Sequence, residues 1–219
     1  MLTISCLSQK GGVGKSTLSQ LVGVSFAAAE WSVKIADFNL KQKTSVDWAA
    51  MRLEAKLKPA LAAEGYSSVK QALLQQDLFD LMVIDGRPDS DVSSLEIAKT
   101  SDLIIIPTGV TLADLQPQVR FANELRSKGV PKARVWFAIN KSIDSILSVM
   151  DAREFVRVAG YEVFSTDISM KTGYQHAQNA GKALTETAFP TLNERAQSLA
   201  TEIYKEIIAL TKEDLAKNG

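Results

Sequence analysis

Lys10 and Lys15 flank three glycines in 8-SQKGGVGKSTLSQLVGVSF-26, and Ser16 and Thr17 follow at once. Residues of these types at this spacing can hold phosphate. A loop of the form G-x-x-x-x-G-K-[ST] needs glycines so that its N–H groups can curl inward, a lysine as a point charge, and a hydroxyl for magnesium. Gly11, Gly12, Val13 and Gly14 supply the curl, Lys15 the charge at the β- and γ-phosphates, Ser16 the Mg²⁺ hydroxyl, and Thr17 a hydroxyl within reach of the α-phosphate. Two departures stand out. Gln9 occupies the place of the first glycine, and Lys10 adds a second cation at the mouth of the loop.

Such a loop works only between a strand that delivers it and a helix that starts beneath the phosphates, where the helix N-terminus adds roughly half a positive charge. The apolar run 2-LTISCL-7 reads as that strand, and a helix is expected over Lys15–Ala29. The same alternation continues along the chain. Strands are expected at Val33–Asp37, Leu81–Asp85, Leu103–Pro107, Arg134–Ile139 and around Glu162–Phe164, with a weak one near Gly65–Ser68. Helical periods fill Thr44–Leu57, Ser68–Gln76, Val92–Thr100, Leu112–Lys128, Ile146–Ala159 and Leu192–Lys212. Strand and helix in alternation define an α/β fold, a single doubly wound and mostly parallel sheet flanked by helices. Gly129-Val130-Pro131 and Gly160 mark turns, and nothing reads as a linker, so residues 1–219 are expected to form one domain.

Composition narrows the class. With 46% hydrophobic and 23% charged residues, the chain has the balance of a soluble globular protein, and its formal net charge of 0 argues against a constitutively basic nucleic-acid binder. Cys6 is the only cysteine, so it reads as a small hydrophobe in a strand, and a reducing cytoplasm is the expected compartment. No window approaches the roughly 20 apolar residues of a membrane span. The stripe Leu199, Ile203, Ile207 and Leu210 near the C-terminus could face a core or a membrane. Its polar face mixes glutamates with lysines, which favours packing.

The form Lys-Gly-Gly-Val-Gly-Lys-Ser-Thr, with a lysine before the glycine pair, resembles the deviant Walker A motif of the ParA/MinD (SIMIBI) ATPases. That resemblance implies a P-loop NTPase fold, ATP and Mg²⁺ as ligands, and a role for Lys10 as the signature lysine that reaches across an ATP-sandwich homodimer to the partner's nucleotide. It extends beyond the loop. The stretch 79-FDLMVIDGRPDSD-91 resembles the Walker B strand, which implies that Asp85 holds the magnesium shell, although Gly86-Arg87-Pro88 replaces the usual Thr-Pro-Pro. Next, 101-SDLIIIPTGVTLADLQ-116 resembles the strand and loop that follow, with the aspartate at 114, and 136-WFAINKSI-143 places Asn140 where the family contacts adenine. Finally, 169-SMKTGYQHAQNAGKALTETAFP-190 carries a Tyr-x-x-Ala and Gly-x-x-x-x-Glu pattern.

The clearest departure lies in 33-VKIADFNLKQKTSVDW-48. Family members carry Asp-x-Asp there, the second aspartate serving the attacking water; here Asp37 holds the first position and Asn39 the second. An amide can hydrogen-bond a water but cannot take its proton. Hydrolysis should be slow, whether this is a naturally slow branch or a substitution that traps the ATP-bound state. The neighbouring Leu40–Ser45 run is similar to that of the MipZ-like branch.

The resemblance implies a ParA-type positioning ATPase that dimerises on ATP, binds DNA without sequence preference, and is released when a ParB-like or cargo-adaptor protein stimulates hydrolysis. Such a protein is cytoplasmic, and nucleoid-associated when ATP-bound. The alternatives are a MinD-like membrane-associated regulator and a P-loop small-molecule ligase or kinase. Arg120, Arg126, Lys128, Lys132, Arg134, Arg153 and Arg157 read either as a DNA-facing patch or as solvated helix faces, and the lone His176 reads as a surface residue rather than a metal ligand.

Overall fold

A computed structural model describes residues 1–88, 92–143 and 145–218. The elements run β1 (Leu2–Cys6), α1 (Lys15–Ala28), β2 (Val33–Asp37), α2 (Thr44–Glu54), β3 (Ala62–Gly65), α3 (Val69–Leu73), β4 (Leu81–Asp85), α4 (Val92–Thr100), β5 (Leu103–Thr108), α5 (Leu112–Ser127), β6 (Val135–Ser142), α6 (Ile146–Val158), β7 (Glu162–Val163), β8 (Ile168–Ser169), α7 (Thr172–Asn179) and α8 (Pro190–Asn218). The sheet order is β3-β2-β4-β1-β5-β6-β7, with β8 extending the β6 edge, and every pairing is parallel. This is the doubly wound parallel sheet that the alternation implied.

Strands covered on both faces are apolar along their whole length, since successive side chains feed opposite layers. In β5, Leu103 and Ile105 join a core with Leu18 and Leu21 of α1 and Leu199, Ile203 and Ile207 of α8. Ile104 and Ile106 join a second core with Phe121 and Leu125 of α5 and Val156 of α6. The C-terminal stripe therefore faces a core, with Leu199, Ile203 and Ile207 fully buried. No helix among the described residues is long and apolar enough to cross a membrane.

Register then places chemistry. Cys6 pairs with Asp85, and Asp85 with Asp37, so the C-terminal ends of β1, β4 and β2 lie at one level, the edge where open parallel sheets take ligands. Several segments differ from expectation: α2 and α3 are shorter, at Thr44–Glu54 and Val69–Leu73, and α8 is longer, at Pro190–Asn218. The weak strand near 65–68 lies instead at Ala62–Gly65, an edge strand of sequence AAEG with little side chain to signal it. Strand β6 continues to Ser142, past the expected end at Ile139, while β8 and α7 are additional elements.

Candidate nucleotide-binding site

The loop between β1 and α1 closes over a helix N-terminus left open. Helix α1 has no side-chain cap and no acidic residue in its first turn, so its leading N–H groups are available to an anion. Gly14, at φ 100, occupies the left-handed region, and a Cβ there would overlap the Asn140 amide nitrogen. Only glycine fits. Lys15 is buried, and its Nζ lies 3.2 Å from the Lys10 carbonyl.

Two carboxylates lie behind it. Asp85 is buried, and Ser45 Oγ donates to its Oδ2 at 2.7 Å. Burial pushes the Asp85 carboxyl up to about 6, against the pull of the Ser45 and Ser16 hydroxyls and the Lys15 charge. Its Oδ1 is buried without a hydrogen bond of normal geometry among the described residues. Asp37 differs. Asn39 N–H donates to its Oδ1 at 2.9 Å, and Ser45 N–H to its Oδ2 at 2.9 Å, so this carboxylate anchors the 39–46 segment and caps α2, which has no cap from its own N-cap residue. Burial raises the Asp37 pKa, and these N–H donors pull it part of the way back.

Two separate elements grip the loop. Helix α5 holds the entry limb: Gln118 Nε2 donates to Ser8 Oγ at 2.7 Å, Gln9 Nε2 to Glu124 Oε2 at 3.1 Å, and Lys10 pairs with Asp114. Strand β6 holds the far limb, through Asn140 Nδ2 to the Val13 carbonyl at 2.8 Å and Lys141 Nζ to the Gly12 carbonyl at 2.6 Å. Lys141 was not singled out in the sequence. Its φ of 55 costs about 1–2 kcal/mol for a side chain with a Cβ, a strain visible only in three dimensions.

Most of the candidate residues line three adjoining spaces. A cavity of about 260 Å³ is lined by Gly11, Gly12, Gly14, Lys15, Ser16 and Thr17 on the loop side and by Asn39, Gly86 and Lys141 opposite. A second of about 360 Å³ opens beside it, between Asn39, Lys41, Gln42, Tyr66 and Arg87. A narrow third of about 80 Å³ lies between Thr17, Asn140 and Lys141 and the segment from Ile168 to Gln178. Val13, Asp37 and Asp85 are buried and line none of these, and neither does Lys10. Of the third space, Tyr174 belongs to the Tyr-x-x-Ala pattern of the sequence, whereas Gln178 lies just outside it; Gln178 Nε2 donates to Thr17 Oγ1 at 2.9 Å. His176 is exposed, and no cluster of three metal-ligating side chains occurs among the described residues.

No family model and no curated protein sequence matches the chain. Solved structures do. MinD cell division protein of Aquifex aeolicus superposes with TM-score 0.73 at 15% identity, over 94% of this chain and 98% of that one. Apo McdA of Cyanothece gives 0.69 at 18%, over 95% and 99%. A plasmid partition protein of Borrelia burgdorferi bound to AMPPNP gives 0.66 at 16%, over 97% and 99%. The fold is that of the MinD and ParA ATPases.

The residues present fit a magnesium nucleotide. Open space lies above Gly11 and Gly12, where a Cβ would meet nothing within 4 Å, and the uncapped α1 terminus leaves its N–H groups for an anion. The orphaned Asp85 Oδ1 beside Ser16 suits a water of a hydrated Mg²⁺.

Proposed function

We propose that the chain is a ParA/MinD-type ATPase that binds ATP·Mg²⁺ through residues 11–17, dimerises around it, and uses slow hydrolysis to time its release from a cellular surface. The observation that carries this reading is the pair of lysines around one loop. Lys15 lies in the wall of the phosphate cavity, while Lys10 points away to Asp114 and is 42% exposed, placed for a second molecule rather than for its own site. A bound Mg²⁺ would supply positive charge against the charge that develops on the phosphates. Ser16 and Asp85 would hold it, Lys15 would neutralise the phosphates, and Asn39, bordering both larger cavities, would orient the attacking water. Asn140 would sit where the base enters, one of its amide hydrogens already committed to Val13.

The surface served is, in this reading, DNA. The apolar stripe of α8 is buried in the core through Ile207, which supports packing over a membrane surface for these residues. Arg120, Arg126 and Arg157 are exposed, whereas Arg153 is drawn towards Asp167, whose carboxylate lies 3.2 Å from it. A neutral chain has little field of its own, so binding should need the dimer, and it should fall steeply with salt. A ParB-like or cargo-adaptor protein would supply the stimulus for release.

The test compares two variants by light scattering with ATP and Mg²⁺. Lys15→Ala should lose nucleotide binding itself. Lys10→Ala should bind nucleotide yet remain monomeric, and dimers equal to wild type would remove the sandwich assignment. A gel-shift titration with and without ATP then checks DNA; binding that ignores ATP, or none at low salt from a verified dimer, would refute nucleoid anchoring.

A further inference from the structure

In a regular strand, neighbouring side chains point to opposite faces. Asn140 and Lys141 do not. The register of β6 against β8 shifts between Asn140 and Ser142, and Lys141 within that bulge takes φ 55. The outcome is that two successive side chains reach the same loop and hold two successive carbonyls, Asn140 on Val13 and Lys141 on Gly12. Peptide planes are rigid and trans, so a carbonyl fixed on one side aims the following N–H to the other. Holding Gly12 O sets the Val13 N–H, and holding Val13 O sets the Gly14 N–H.

We infer that Lys141 is a positioning residue for nucleotide binding, which from a strained bulge clamps the Gly12–Val13 peptide and so aims the loop's N–H groups before phosphate arrives. The inference rests on the nucleotide reading of the loop and deepens it. Three observations converge. Glycine at 141 would relieve the backbone strain, yet a lysine stands there. The side chain is exposed, so burial does not keep it. Lys141 also borders both the cavity at the glycines and the narrow one at Tyr174, the place where a phosphate chain would meet its nucleoside. A strand alone would have sent either Asn140 or Lys141 away from the loop.

Calorimetric titration of ADP and ATP against wild type, Lys141→Ala, Lys141→Arg and Lys141→Gly tests this, together with amide hydrogen exchange over residues 11–14. Lys141→Ala should weaken both nucleotides about tenfold, as expected from loss of one charge-assisted hydrogen bond, and should speed exchange at Val13. Lys141→Arg should restore both properties to within about twofold, because a cation of similar reach keeps the bond. Lys141→Gly should weaken binding as much as alanine does while raising the urea midpoint through relief of strain. Unchanged affinity in the alanine and glycine variants, or unchanged exchange at Val13, overturns the clamp. If wild type itself takes up neither nucleotide, the reading of the site fails, and the exchange comparison still decides whether Lys141 orders the loop.

Discussion

Lys10 and Asp114 form an ion pair within one chain, across the mouth of the phosphate loop. The pair is built from both sides. Asp114 sits in the first turn of α5, where Thr111 Oγ1 donates to its Oδ2 at 2.7 Å, and Gly109 leaves the room that a Cβ would take from this carboxylate. Burial works against the charged form, but the Lys10 and Thr111 hydrogen bonds outweigh it and hold the carboxyl below its usual range. A lysine meant for a partner's nucleotide must first leave this carboxylate.

Asp114→Asn should therefore ease dimerisation. Because Lys10 is 42% exposed and Asp114 23%, each pair is worth no more than about 1 kcal/mol, and a sandwich dimer would break two of them, so the dimer dissociation constant with a non-hydrolysable ATP analogue should fall by up to about thirtyfold. Sedimentation equilibrium reads it. A constant that stays put or rises would mean that Asp114 presents Lys10 rather than withholds it.

A second prediction concerns stability. Arg52 is 1% exposed and spends its guanidinium on Glu186, in two bonds of 2.7 and 2.8 Å, and on the carbonyls of Pro59, Lys58 and Gly181. This ties α2 to the segment before α8. Glu186→Ala would strand a buried cation, which typically costs about 3–5 kcal/mol, and the urea midpoint should fall accordingly. Arg52→Met, which removes the cation together with its demand for partners, should cost less than Glu186→Ala. The reverse ranking would show that packing, not charge, holds this joint.

Asp85 gives a pH signature. Its folded-state pKa of about 6 exceeds the ordinary 3.8, so the folded protein keeps a proton that the unfolded chain has lost between about pH 4 and 6. Stability without metal or nucleotide should thus decline as pH rises through that window, by about 3 kcal/mol in all. Asp85→Asn should remove the decline, raising the urea midpoint at pH 7.5 in EDTA but not at pH 4. The same variant should lose the Mg²⁺ dependence of nucleotide binding. An equal change in midpoint at both pH values would rule out the titration.

Much of this was legible in the sequence, for identifiable reasons. The apolar Leu81–Ile84 run marked β4 and the Val-x-Ile-Ala run marked β2 despite Lys34, so both were read to the residue, and the glycine spacing announced the loop. The Gly-x-x-x-x-Glu pattern was visible too, though not its use: Glu186 meets Arg52, 134 residues earlier. Exposed Ala62–Gly65 and the short β8 carry too few side chains for a period to register. Lys141 was illegible for another reason, since a bulge is a property of pairing and leaves no local mark.

Asn39 carries the last prediction. Its backbone N–H is bound to Asp37 Oδ1, while its side chain exchanges hydrogen bonds with Gln42, Nδ2 to Oε1 at 2.8 Å and Gln42 N–H to Oδ1 at 3.3 Å. The side chain thus stands at the seam of the two larger cavities, where a water attacking a terminal phosphate would approach. Asp37 is not placed to substitute, because both its oxygens already accept backbone N–H groups and it is 1% exposed. Asn39→Asp keeps the shape and the Gln42 N–H bond and adds a proton acceptor. Single-turnover phosphate release from preloaded protein should rise at least tenfold, a conservative share of the ~10²–10⁴ that a positioned base contributes, and dimer lifetime should shorten in step. A rate that stays level or drops would mean that the amide is the working group, orienting water without taking its proton, and that an activating partner supplies what the loop lacks. Repeating the measurement on Asn39→Ala separates these outcomes, since a working amide would be missed there and an idle one would not.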